Sequence, residues 1–239
     1  MIAAFFDIDG TIYRDCLLIE HFKKLIKYEL VDINEYEDKV KRSFKLWDER
    51  KGDYDDYLQD LTETYVSVIK GLSSQYNNFI ADRVVELKGD RVYKYTRDRI
   101  KWHQSQGHLV IFISGSPDFL VERMAKKMGA SDFLGSKYIF NDDKLTGEVE
   151  PMWDTPNKIK AINSFKEKYN IDLSKSFAYG DTNGDYGMFT LVGNPKAINP
   201  SKELIKNIKE DINLRDSCEI IIERKDVIYH LSSANIDVE

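Results

Sequence analysis

The sequence predicts an α/β fold: a parallel, doubly wound sheet with a helical segment inserted after its first strand. Two observations carry this. Short unbroken apolar runs recur, each followed by polar or small residues and then a helical pattern. Between the first and second of these runs lies a long stretch that reads only as helices.

The first strand is IAAFF, Ile2 to Phe6. LVIFI (Leu109 to Ile113) and SFAYG (Ser176 to Gly180) are the next two. They are continuous rather than alternating, as strands covered on both faces should be. Strand-then-helix order implies parallel pairing. Further strands are expected at Tyr138 to Phe140, Lys196 to Ile198 and Glu219 to Ile222.

The inserted stretch carries four apolar stripes at helical spacing. The first is Leu18, Phe22, Leu25, Ile26 and Leu30; the second is Tyr36, Val40, Phe44 and Trp47. The third runs from Tyr57 to Leu72, and the fourth is Phe79, Ile80, Val84 and Leu87. Gly52 and Gly71 sit at helix breaks. A helix from Asp90 to Gln106, stopped by Gly107, leads back to the sheet. The expected division is a core of residues 1–14 and 89–239 with an insert of residues 15–88.

Composition narrows the class. With 239 residues the chain can bury a substantial core. Five prolines, 13 glycines and 12% aromatic residues argue against disorder. A net charge of -6 argues against a nucleic-acid partner. Cys16 and Cys218 are too few for a disulfide framework or a cysteine zinc site. No basic stretch leads into an apolar run at the N-terminus, and no run reaches the roughly 20 residues of a membrane helix. A cytoplasmic protein with no membrane partner is expected.

Unusual chemistry sits at three strand ends, where open parallel sheets bind ligands. The first end gives Asp7 and Asp9, in FFDIDGT; the second gives Ser114, in FISGSP; the third gives Asp181 and Asp185, in GDTNGDYGM. Each has a plain alternative. Asp-x-Asp-Gly-Thr can be a turn. Ser114 and Ser116 can be turn or cap residues, with Pro117 opening a helix. Asp181 and Asp185 can favour a helix N-terminus. Together, however, four converging carboxylates would repel strongly without a cation. Oxygen-only ligands suit Mg2+. A phosphate substrate would also need a basic residue. In DTPNKIKAI, Thr155 reads as an N-cap, Pro156 as the first helical residue and Lys158 as a first-turn cation opposing the helix dipole. Lys158 can equally face solvent, and Lys160 is its rival.

FFDIDGT, FISGSP, TPNK and GDTNGDYGM, in this order, resemble the haloacid dehalogenase (HAD) superfamily of phosphohydrolases, with its Rossmann-like core. The insert position, TGEVEP and LVGNPKAINP are similar to its phosphoserine-phosphatase-like branch, subfamily IB. The resemblance implies a Mg2+-dependent phosphomonoester hydrolase acting through an aspartyl phosphate on a small phosphorylated metabolite, with the insert as a cap. It implies roles as well. Asp7 would be the nucleophile and Asp9 the general acid and base. Ser114 and the Gly115 amide would hold phosphate. Lys158 would neutralise charge. Asp7, Asp181, Asp185 and the Asp9 carbonyl would hold the metal, with Asp185 ligating or orienting a bound water. Thr11 would position Asp9, and Gly10 would permit the turn. Asp9 itself favours ester hydrolysis, since relatives with a long-lived phosphoaspartate carry Thr there.

The substrate is less defined. Phosphoserine phosphatase proper is the alternative, but Cys16 and Tyr65 stand where that branch carries its serine-gripping Glu and Arg; Asp15 and Arg14 lie nearby. GDYDDYLQD can be a solvated acidic face or can meet a cationic head group. A non-hydrolytic phospho-accepting signalling domain is a rival of another class, although such domains lack the large insert. The four histidines show no ligand spacing, and the tail from Glu223 onward carries no functional signal.

Overall fold

The computed structural model describes residues 1–32 and 40–236. Tyr36, expected in the second helical stripe, lies outside the described residues. Among the described residues eight strands form one sheet in the order β4-β3-β2-β1-β5-β6-β7-β8. They are β1 (Ala3–Phe6), β2 (Leu109–Pro117), β3 (Asp132–Asn141), β4 (Lys144–Glu150), β5 (Phe177–Gly180), β6 (Asn194–Ile198), β7 (Glu219–Arg224) and β8 (Val227–Ser232). The six inner strands are parallel, and β4 and β8 close the two edges antiparallel.

The sheet is doubly wound, as the strand–helix order predicts. Along β1, Ala3 and Phe5 point into one core with Ile111, Ile113 and Ala178. Ala4 and Phe6 point into the other, with Val110, Phe112 and Tyr179. All four β1 side chains are fully buried, which explains the unbroken apolar run. The first core is covered by α7 (Thr155–Tyr169), α8 (Tyr186–Leu191), α9 (Lys202–Glu210) and α10 (Ile212–Ser217). The second is covered by α5 (Lys94–Ser105) and α6 (Asp118–Met128). It continues without a break into α1 (Leu17–Lys27), α2 (Val40–Asp48), α3 (Tyr54–Ile69) and α4 (Ser74–Lys88), which lie between β1 and β2 in the chain.

Several boundaries differ from the expectation. β2 runs on to Pro117 through a register shift after Ile113, so Ser114, Gly115 and Ser116 are strand residues rather than a loop. Pro117 is the N-cap of α6 rather than its first residue. Asp154, not Thr155, caps α7 by accepting the Asn157 amide, which places Pro156 second in the helix. α5 starts at Lys94 because Glu223 on β7 accepts the Lys94 and Tyr95 amides across the fold. The edge strands β4 and β8 are largely solvent-facing; in β8 only Ile228 is partly buried, and Val227, Tyr229 and Leu231 are exposed. Among the described residues no helix is long and apolar enough to cross a membrane.

Candidate active site

Register sets the end of β1 level with Phe112 on β2 and with Tyr179 near the end of β5: Phe6 pairs with both. The Asp7 amide extends this ladder by donating to the Tyr179 carbonyl (2.9 Å). The chain then turns sharply, with the Ile8 carbonyl accepting from Ile12 and Tyr13. Gly10 holds the turn at φ +75°, and a Cβ there would overlap the Asp181 carboxylate. The turn thus packs its backbone directly against the acid from β5.

The loop after β5 is organised by Asp185. One of its oxygens accepts from the amides of Asp181 (3.0 Å) and Thr182 (3.1 Å). Thr155 ties α7 to this loop by donating to the Asn183 and Gly184 carbonyls. That tie aims Lys158, in the first turn of α7, at the strand ends. Its Nζ donates to Asp7 Oδ1 at 2.8 Å and to Asp185 Oδ1 at 2.5 Å. The Lys158 side chain is 3% exposed. Its rival Lys160 is exposed.

One oxygen from each of Asp7, Asp181 and Asp185 lies within 4.8 Å of the others. Burial pushes the Asp7 carboxyl well above the usual carboxylate range; Lys158 opposes this, and Asp185 and Asp9 add to it. Burial raises Asp181 likewise, with the charges of Asp7 and Asp185 contributing. Burial works against the Lys158 ammonium, but Asp185 and Asp7 outweigh it and hold its pKa above normal. One ammonium thus stands among three carboxylates. The excess negative charge and the all-oxygen donor set fit a small hard divalent cation.

Asp9 has a separate setting. Its Oδ1 accepts the Leu17 amide (2.7 Å), and its Oδ2 accepts the Ser116 hydroxyl. Burial pushes its pKa up to about 6, against the pull of those two hydrogen bonds. Thr11 does not bind Asp9; its hydroxyl donates to Asp181 Oδ1 (2.9 Å), because the tight turn carries its side chain toward β5. Ser114 is fully buried, and its Oγ accepts the Ser116 amide (3.2 Å). The Gly115 carbonyl accepts from Ser136, and a Cβ on Gly115 would come within 2.8 Å of the Trp153 Cβ.

The sequence alone reads Ser116 as a turn or cap residue. Its two-residue spacing from Ser114 on one strand was the available signal. Tyr54 lies in the GDYDDYLQD stretch, whose Tyr faces the sequence offers to a cationic head group. It opens α3, and burial raises its phenol pKa, with Cys16, Asp9 and Asp181 in electrostatic range. Asp15 and Arg14 are spent elsewhere: Asp15 accepts the Cys16 amide, and the Arg14 guanidinium lies over the Tyr93 ring.

Comparison with known proteins gives a consistent family. A sequence profile described as haloacid dehalogenase-like hydrolase matches residues 4–190. A protein of Streptomyces azureus called inhibition of morphological differentiation protein is 26% identical over 205 residues, spanning 84% of this chain and 73% of its own. A histidinol-phosphatase of Neisseria meningitidis serogroup C is 24% identical over 216 residues, spanning 87% of this chain and 94% of its own. In three dimensions, a phosphoserine phosphatase solved as a phospho-aspartyl intermediate analogue is similar, with a TM-score of 0.62 and 21% identity over 94% of both chains. At that identity the likeness speaks to the fold.

Proposed function

The chain belongs to the haloacid dehalogenase-like hydrolases, and from that premise we propose that it is a magnesium-dependent phosphomonoesterase using Asp7 as its nucleophile. The single observation that carries this reading is the Lys158 bridge. A lysine from one segment is buried between Asp7 and Asp185, which come from two others, with Asp181 alongside. Phosphatase names among the relatives support the same reaction class.

In this reading an Asp7 carboxylate oxygen attacks phosphorus while the bond to the alcohol oxygen breaks. Lys158, already on the Asp7 carboxylate, neutralises charge as phosphate approaches. Asp9 gives its proton to the departing alcohol; a pKa of about 6 leaves it able to donate and to accept near neutrality. In the second half-reaction Asp9 takes a proton from water, whose oxygen displaces Asp7 and releases inorganic phosphate. Ser116 and the Leu17 amide keep Asp9 aimed through both steps. Ser114 and Gly115, at the β2 end, are the proposed phosphate contacts. Asp7, Asp181 and the Asp9 carbonyl would hold magnesium, which supplies charge neutralisation for the phosphate and the attacking carboxylate. Both Asp185 oxygens are engaged within the protein, which supports a role in orienting the site. Helices α1–α4 serve as the cap in this reading.

The test is phosphate release from p-nitrophenyl phosphate with magnesium, with EDTA, and by Asp7→Asn. Activity should be lost in the last two, and the peptide holding Asp7 should gain one phosphoryl group during turnover. Activity retained by Asp7→Asn would remove the assigned nucleophile.

A further inference from the structure

β2 is irregular where it reaches the site. Between the register pairs Ile113–Leu134 and Pro117–Ser136, it places Ser114, Gly115 and Ser116 opposite the single residue Gly135 of β3. Such a bulge takes backbone groups out of the ladder and re-aims side chains. Gly135 lets β3 come close at this point, since a Cβ there would lie 2.7 Å from the Asp118 Cα.

The side chain of Ser136 closes the bulge. It is fully buried. Its hydroxyl donates to the Gly115 carbonyl (2.7 Å) and accepts the Met152 amide (3.0 Å). A carbonyl only accepts and an amide only donates, so the direction of both bonds is fixed. The Gly115 carbonyl and the Ser116 amide belong to one planar peptide. That amide donates to Ser114 Oγ (3.2 Å). Ser114 Oγ therefore serves as an acceptor within β2 and keeps its own proton to give elsewhere. The Ser116 hydroxyl, next along the chain, donates to Asp9. Through Met152 the same Ser136 oxygen holds the segment that leads into α7 and Lys158. Trp153 in that segment packs between β2 and the β5 loop. A Cβ on Gly115 would meet its Cβ, and a Cβ on Gly184 would overlap its carbonyl.

Resting on the phosphatase reading, we infer that Ser136 is a positioning residue: its hydroxyl sets the plane of the Gly115–Ser116 peptide, and through that peptide it aims Ser114 at the phosphate and Ser116 at Asp9. Ser136 lies on β3, outside FFDIDGT, FISGSP, TPNK and GDTNGDYGM, and no step above uses it. It acts through β2 rather than on the ester. Without its oxygen the Gly115 carbonyl and the Met152 amide lose this shared partner, and the peptide is free to turn. Turning it withdraws the Ser116 amide from Ser114 Oγ, so the Ser114 proton is no longer directed. A positioned donor is worth more to a bound phosphate than one that must first be ordered.

The experiment uses the full chain with magnesium and p-nitrophenyl phosphate, and measures kcat, the inhibition constant of inorganic phosphate, and Tm. Ser136→Ala should raise the phosphate inhibition constant by about tenfold and lower kcat by a similar factor. In a Ser114→Ala background the same change should raise that constant by less than about threefold, because the donor it aims is already gone. Should Ser136→Ala not fold, Ser136→Cys carries the same comparison, since it keeps the shape and replaces the hydroxyl by a weak donor. A lower Tm with kcat and the inhibition constant within about twofold of the unmodified chain would mark a merely structural hydroxyl and overturn the inference. Equal rises in the two backgrounds would overturn it as well, since Ser136 would then not act through Ser114. Both of these results leave the phosphatase reading intact. No phosphate release by the unmodified chain overturns that reading and this inference with it.

Discussion

Replacing Lys158 by Met tests the centre of the site most directly. Met has a similar length and fills the same space, so the cavity contribution is small. What is lost is the ammonium between Asp7 and Asp185, whose side chains are 8% and 0% exposed. Removing one partner from a buried ion pair costs about 3–5 kcal/mol. For a chain of this size that corresponds to a fall in Tm of about 6–20 °C. The loss should depend on pH. Without Lys158 the Asp7 carboxyl, already raised by burial, rises further. Protonation at low pH then relieves the unpaired charge, so the gap to the unmodified chain should be narrower at pH 5 than at pH 8. Thermal unfolding followed by circular dichroism in EDTA reads both effects, and adding Asp185→Asn should recover part of the loss. Turnover should fall by a factor on the order of 100 or more. A Tm within about 2 °C of the unmodified chain at pH 8, with activity kept, would mean that Lys158 is a solvated lysine and that the bridge does not exist.

Magnesium at 100 times its Kd should add about 2.7 kcal/mol of stability in the same assay, and Asp181→Asn should abolish most of that gain. Gly10→Ala introduces a Cβ that overlaps the Asp181 carboxylate at a left-handed φ; it should raise the magnesium concentration needed for half-maximal activity more than it raises KM for the ester. Ser116→Ala removes a hydrogen bond that favours charged Asp9, so the Asp9 pKa should rise and the limb of the pH–rate profile that Asp9 governs, alkaline where it acts as acid and acidic where it acts as base, should move to higher pH. His21 is buried, and its pKa is lowered to about 3. Between that value and about 6.5 the unfolded chain binds the extra proton, so this contribution is complete above about pH 6.5 and is lost as pH falls toward 3. His21→Gln should therefore flatten the dependence of unfolding free energy on pH between 4 and 6 by up to about 1.4 kcal/mol per pH unit, measured by urea titration.

Much of the architecture was legible because it rests on short-range properties. IAAFF, LVIFI and SFAYG are buried on both faces, and an unbroken apolar run is what such a strand requires. Asp7, Asp9, Asp181 and Asp185 follow the ends of β1 and β5 within a few residues, whereas Ser114 lies inside β2. The antiparallel edge Val227–Ser232 is apolar enough in sequence, but its side chains are mostly exposed, so its place at the sheet edge is set by pairing with β7 rather than by burial.

Hydrogen-bond partners belong to the tertiary structure alone. Thr11 lies two residues from Asp9 yet donates to Asp181, 170 positions away. Ser116 reads locally as a cap, yet it holds Asp9 from 107 positions away. Periodicity and turn chemistry act over a few residues and so determine strands, helices and which acids end a strand. The choice of which oxygen meets which proton depends on register between distant strands and on the packing of α7 against the β5 loop, and composition carries no record of either.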